Sequence, residues 1–229
     1  MTNKAAEIEN VPFAVGDDVK VSVLLQTSHN AEALLVLAHG AGAGMTHPFM
    51  AAMASGLAER AIATLRYQFP YMERGSKRPD PPQLAQATVR AAAAAAARAR
   101  PELPLFAGGK SFGGRMSSQA QAKMPLNGVR GLVFVGFPLH PAGKPSTDRA
   151  KHLADAKVPM LFLQGTRDAL AELPLLEPTC NALGKRATLK LFADADHSFH
   201  VPAKSGRKDV DVFTELLDVT AAWMKNHAR

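Results

Sequence analysis

The chain has 229 residues, 47% of them hydrophobic and 21% charged. That is long enough for a core that needs no disulfide or metal staple, and too apolar for a disordered chain. A single cysteine, Cys180, excludes an internal disulfide framework and a cysteine-cluster zinc site. The net charge of +7 is dispersed among acids rather than run together with aromatics, so nucleic acid is not an expected partner.

Residues 1–15 are read as a loosely ordered N-terminal segment. They carry acids and lack an apolar core, so they do not read as a signal peptide, and no apolar run downstream is long enough for a membrane span. The expected compartment is the cytoplasm, without membrane association. Residues 19–25 alternate as a half-buried strand would, and 33–38 (ALLVLA) form a continuous apolar strand that stops at His39-Gly40. A helix opening with Pro48 follows over 48–60, then a short strand at 62–66 and a Pro- and Arg-rich loop over 68–82. The run of seven alanines, Ala91 to Ala97, sits in a predicted helix at 83–100. Next come a strand at 105–108, a glycine-framed turn, a helix at 112–123 and a buried strand at 130–135. A loop from 136 leads to a short helix ending near 156. A strand at 159–164, a helix at 175–183, a strand at 188–192 and an amphipathic helix at 210–226 with Trp223 as core anchor complete the chain.

Fully apolar strands alternating with helices predict one doubly wound, mostly parallel α/β domain over 1–229, with helices on both faces of the sheet. In such sheets ligands bind at the carboxyl ends of the strands. Only about 23 residues separate the strand ending at Val135 from Pro159, too few for a large cap domain. An open, shallow site for small or flexible substrates is therefore expected.

The sharpest local signal is Gly109-Lys110-Ser111-Phe112-Gly113, between a strand and a helix. A serine at the tip of so sharp a turn tolerates only small residues two positions away, and the turn exposes its hydroxyl. The Phe112 N–H, at the helix start, then faces any developing oxyanion. A serine hydroxyl needs a base to take its proton, and the base needs an orienting carboxylate. Asp168 and His197 each follow a predicted strand and are the candidates for those roles. Asp194 and Asp196 are too near His197 in sequence to be favoured as the acid, and one of them is expected to shape its loop. His39-Gly40-Ala41-Gly42-Ala43-Gly44 follows another strand, and by position Ala41, or alternatively Gly42, supplies a second oxyanion N–H. His39, Gly40, Gly42, His47, Arg66, Tyr71, Lys110 and His140 lie on loops near the strand ends, where substrate contact competes with ordinary loop hydrogen bonding. Lys110 either tunes the neighbouring serine or packs. His197 and His200 are spaced as metal ligands can be, without a third ligand cluster, so neither a metal nor an organic cofactor is expected. A phosphate-binding loop ending at Lys110-Ser111 would need glycine where Pro104 stands.

The residues HGAGAGMTHPFM (39–50), RYQFPYMERGSKRPD (66–80), GGKSFGGRMSS (108–118), GFPLHPAGKP (136–145), LFLQGTRD (161–168) and ADHSFH (195–200) resemble the α/β-hydrolase superfamily. More narrowly they resemble its dienelactone-hydrolase-like branch and the KANL3/Tex30-type group. The resemblance implies a nucleophile, acid, base order of Ser111, Asp168 and His197, and a serine hydrolase acting on an ester, thioester or related acyl bond. It also implies the alternative of a non-catalytic scaffold, because the group includes members regarded as such. Ala169-Leu170 stands where the family often has a Phe-Gly pair.

Overall fold

The computed structural model describes residues 7–10, 13–16 and 19–228. Ten strands are present among them: β1 (Glu7–Asn10), β2 (Phe13–Val15), β3 (Val19–Val21), β4 (Val23–Thr27), β5 (Ala33–Ala38), β6 (Ile62–Tyr67), β7 (Leu105–Lys110), β8 (Val129–Val135), β9 (Met160–Gly165) and β10 (Ala187–Phe192). Six helices accompany them: α1 (Pro48–Ala58), α2 (Pro70–Glu73), α3 (Pro82–Ala99), α4 (Phe112–Lys123), α5 (Leu173–Ala182) and α6 (Asp209–His227). Eight strands form one sheet in the order β1-β4-β6-β5-β7-β8-β9-β10. From β6 to β10 the neighbours run parallel, while β4 and β1 add an antiparallel edge.

The period-2 alternation of the strands divides the core. Leu34, Val36, Ala107, Phe134 and Phe162 face α3, α4 and α5 on one side; Leu35, Leu37, Phe106, Val133 and Leu163 face α1 and α6 on the other. On that second side Trp223 is 7% exposed and meets Phe106 edge-on at 5.9 Å. A Cβ on Gly131 would fall 2.7 Å from its ring, so glycine on β8 makes room for the indole. The alanine run turns its buried residues, Ala92, Ala93, Ala95 and Ala96, inward from α3. Methyl-sized side chains let this helix pack close while keeping the highest helix propensity.

Two sequence expectations change. The strand expected over 19–25 is two strands broken at Ser22, because that residue's backbone bonds are diverted: its N–H donates to Glu73 Oε1 and its C=O accepts from the Gln68 N–H. Consequently β3 pairs with β2 in a separate ribbon, while β4 joins the main sheet. The loop expected over 68–82 contains α2, a single turn opening with Pro70 and too short to leave a period. Of the segment 1–15, residues 7–10 and 13–15 are strands, and 1–6, 11 and 12 lie outside the described residues. Between β8 and β9 the chain forms only a loop and a 3-10 helix, Asp148–Ala154, so no large cap covers the carboxyl ends of the strands. Among the described residues no helix is long and apolar enough to cross a membrane.

Candidate active site

At the end of β7 the chain turns into α4 through Ser111, which adopts φ 49°, ψ −113°, a left-handed conformation costing on the order of 1–3 kcal/mol for a non-glycine residue. Packing against β5 enforces the turn. A Cβ on Gly109 would lie 2.2 Å from the Ala38 carbonyl oxygen, and one on Gly113 would lie 2.6 Å from the carbonyl oxygens of both Ala38 and His39. Real Cβ atoms do not approach backbone so closely, so these two positions need glycine. The Ser111 N–H donates to the Val135 carbonyl at 3.1 Å, fixing the turn to β8 and leaving the hydroxyl at the rim.

Asp168 follows β9 and His197 follows β10, and backbone contact zips the two loops together. The Arg167 N–H donates to the Ala195 carbonyl at 2.9 Å, and Thr166 Oγ1 accepts from the Asp194 N–H at 2.9 Å. Gly165 permits this closeness, since a Cβ there would meet the Ala195 carbonyl oxygen at 2.3 Å. Asp196 curls the second loop by accepting from the N–H groups of Ser198 and His200 on one carboxylate oxygen, at 2.7 and 3.0 Å. Its nearness to His197 in sequence thus corresponds to a loop-shaping contact.

These loops bring three distant side chains into line. His197 Nδ1 lies 2.7 Å from Asp168 Oδ2, and His197 Nε2 lies 2.9 Å from Ser111 Oγ. An ionised carboxylate only accepts, so Nδ1 carries the ring proton and Nε2 offers its lone pair to the serine hydroxyl. The Asp168 carboxylate is fully buried, whereas the imidazole is 26% exposed at the rim. Asp168 is further held by the Leu170 N–H on Oδ1 at 2.8 Å and by the Gln164 side-chain amide on Oδ2.

Ser111 and His197 open into a cleft of about 420 Å³ bordered by Gly40, Ala41, Lys110 and His47, with Phe49, Met50 and Leu170 as its apolar walls. The remaining predicted loop residues lie behind this surface. His39 is fully buried; its Nδ1–H donates to the Gly40 carbonyl at 2.8 Å and its Nε2 accepts from the Phe69 N–H at 3.0 Å. Burial lowers the His39 pKa, so the ring stays neutral in this role. Arg66 is buried too, donating to the Met45 carbonyl and to Gln26. His140 packs out of sight of solvent, with Nδ1 bonded to the Pro141 carbonyl at 2.9 Å. Tyr71 is 1% exposed, and burial pushes its hydroxyl pKa up. The Tyr71 hydroxyl is buried without a hydrogen-bond partner among the described residues. Among the described residues neither the Ala41 nor the Phe112 N–H has an acceptor in the chain. Sequence reasoning does not single out Gln164, Phe49, Met50 or Ser198. Gln164 had a signal, a polar residue ending an apolar strand; the others look like ordinary helix and loop residues.

This arrangement is found in a fold shared with solved structures. The chain superposes on dienelactone hydrolase from Anabaena variabilis with a TM-score of 0.79 at 20% identity, covering 99% of this chain and 100% of that one. A serine hydrolase from Xanthomonas campestris, described as lacking a lid, aligns at TM-score 0.70 and 21% identity over 96% and 95% of the two chains. A cold-adapted esterase from an Arctic intertidal metagenomic library aligns at TM-score 0.70 and 17% identity over 98% and 95%. At such identities the likeness is one of fold. The sequence itself matches the model of the alpha/beta hydrolase domain over residues 31–225, a span that holds every residue of the cleft, and the chain therefore belongs to the alpha/beta hydrolase family.

Proposed function

We propose that this hydrolase is a serine hydrolase that cleaves an ester, thioester or related acyl bond of a small molecule, with Ser111 as nucleophile, His197 as base and Asp168 as orienting acid. The observation that carries the reading is the unbroken Ser111–His197–Asp168 hydrogen-bond line, 2.9 and 2.7 Å long. His197 Nε2 takes the Ser111 proton as Oγ bonds to the substrate carbonyl carbon. The resulting oxyanion accepts from the N–H groups of Phe112 and Ala41, with Gly42 the alternate to Ala41. The imidazolium then gives its proton to the leaving alcohol or thiol as the acyl bond breaks, which leaves an acyl-enzyme. Water attacks this ester, losing a proton to His197, and Ser111 recovers that proton as the acid departs. Asp168 stays ionised throughout, holding the Nδ1–H tautomer and stabilising the imidazolium. No metal or organic cofactor enters these steps.

The cleft walls of Phe49, Met50 and Leu170 suit an uncharged acyl group, and the absence of a large cap suits substrates of modest size. The proposal extends to a single domain over 1–229, to membership of the KANL3/Tex30-type group, and to a cytoplasmic location without membrane or nucleic-acid partners. The test is turnover of a series of p-nitrophenyl esters of increasing acyl length by wild type and Ser111→Ala. Release of p-nitrophenol that depends on Ser111 and is fastest for short acyl chains supports the reading. A folded wild type that turns over none of them favours the scaffold alternative.

A further inference from the structure

Lys110 stands between the nucleophile and the base loop. It ends β7, beside Ser111, and its stem borders the cleft. Its ammonium, however, turns inward and donates to the backbone carbonyl of His197 at 2.5 Å. The same Nζ lies 5.5 Å from the centroid of the Phe199 ring, two residues beyond the base. The residue just after β8 makes room for it: a Cβ on Gly136 would fall 2.9 Å from Nζ and 3.3 Å from the His197 ring. Removal from water draws the Lys110 pKa down to about 8, and the carboxylates of Asp168 and Asp196 oppose that fall. The charged or titratable groups facing it are thus Asp168 from the loop after β9, and Asp196 and His197 from the loop after β10. Gly136 and Phe199 contribute none.

We infer that Lys110 is a positioning residue for the reaction proposed above, tying the His197 backbone to the nucleophile strand and placing a positive charge beside the Asp168–His197 pair. Two consequences are separable. The hydrogen bond sets where the imidazole stands relative to Ser111 Oγ, and a displacement near 1 Å is enough to slow chemistry by about a hundredfold. The charge partly neutralises the buried Asp168 carboxylate, so the Asp168–His197 pair binds a proton less readily and the imidazole stays available as a base at lower pH.

The inference rests on the serine-hydrolase reading, and one experiment separates the two. The second-order rate of fluorophosphonate labelling is measured from pH 5 to 9 for wild type, Lys110→Met and Lys110→Arg, with melting curves for each. Lys110→Met is expected to label about tenfold to a hundredfold more slowly at pH 7. Its acidic limb should shift to higher pH, whereas Lys110→Arg, which keeps a charge and donors, holds the limb at the wild-type position. If Lys110→Met does not fold, Lys110→Gln, neutral but polar, carries the same expectation for the limb. A neutral variant with the wild-type rate and limb overturns the inference while leaving the serine-hydrolase reading intact. A slower variant whose limb has not moved also overturns it. A folded wild type that takes up no probe overturns both.

Discussion

Ser111 and Ser118 each bring a hydroxyl within hydrogen-bond distance of a histidine Nε2, at 2.9 Å from His197 and 2.7 Å from His152. Distance alone would rank the second pair first. Their surroundings reverse that order. Ser118 lies inside α4, fully buried, and the Arg115 carbonyl at 2.9 Å competes with the imidazole for its single proton. With that proton donated to the carbonyl, the His152 Nε2 donates to the serine oxygen, so that imidazole gives a proton where the other would take one. Burial and the Arg115 guanidinium draw the His152 pKa down to about 4, and among the described residues no carboxylate bonds to its ring. Ser111 instead sits on a strained turn at the rim, with a carboxylate behind its histidine and two unengaged N–H groups beside it. A serine–histidine contact becomes a reactive pair only when proton direction, orientation and access agree.

The contrast breaks most easily by deletion. Ser111→Ala is expected to lower kcat/KM for a p-nitrophenyl ester by about 10⁴-fold or more, while Ser118→Ala, outside the cleft, leaves it unchanged; steady-state kinetics of the two variants decide this. Asp168→Asn should lower kcat by about 10⁴-fold by favouring the wrong imidazole tautomer. Asp155→Asn, the matching change near His152, should leave kcat alone. Ala41→Pro removes an N–H that has no counterpart near Ser118, and a loss of about 10²- to 10³-fold in kcat with little change in KM is expected. The smallest effect is on stability. Because the folded His152 titrates near 4 and an unfolded histidine near 6.5, the unfolded chain takes up the proton first as pH falls. Its neutral form therefore contributes stability that is fully present above 6.5 and lost as pH falls toward 4, about 2 kcal/mol after allowance for partial exposure. Urea midpoints across this range should fall, and His152→Gln should flatten the slope.

Much of this was legible in the sequence because local chemistry and global fold agree. The runs ALLVLA and PMLFLQ mark central strands, since strands buried on both faces carry no polar alternation. Gly109 and Gly113 announce the elbow because backbone approach forbids any side chain there. Features set by contacts between distant segments were not legible. The break at Ser22 depends on Glu73 and Gln68, both far along the chain. The retreat of His39, Arg66, Tyr71 and His140 into the wall depends on partners such as Phe69, Met45 and Leu170, which no spacing reveals. Lys110 was visible as a neighbour of the nucleophile, but its bond to the His197 carbonyl exists only once the loops after β9 and β10 are zipped together.

The central claim is that His197, aligned by Asp168, makes the hydroxyl of Ser111 the reactive one. Intact-mass and peptide mapping after fluorophosphonate treatment tests it most directly, run on wild type beside His197→Ala. One adduct per chain on Ser111 in the wild type, lost in His197→Ala, is the predicted result. Adduct on Ser118 or elsewhere, or equal labelling of Ser111 without the imidazole, would contradict it.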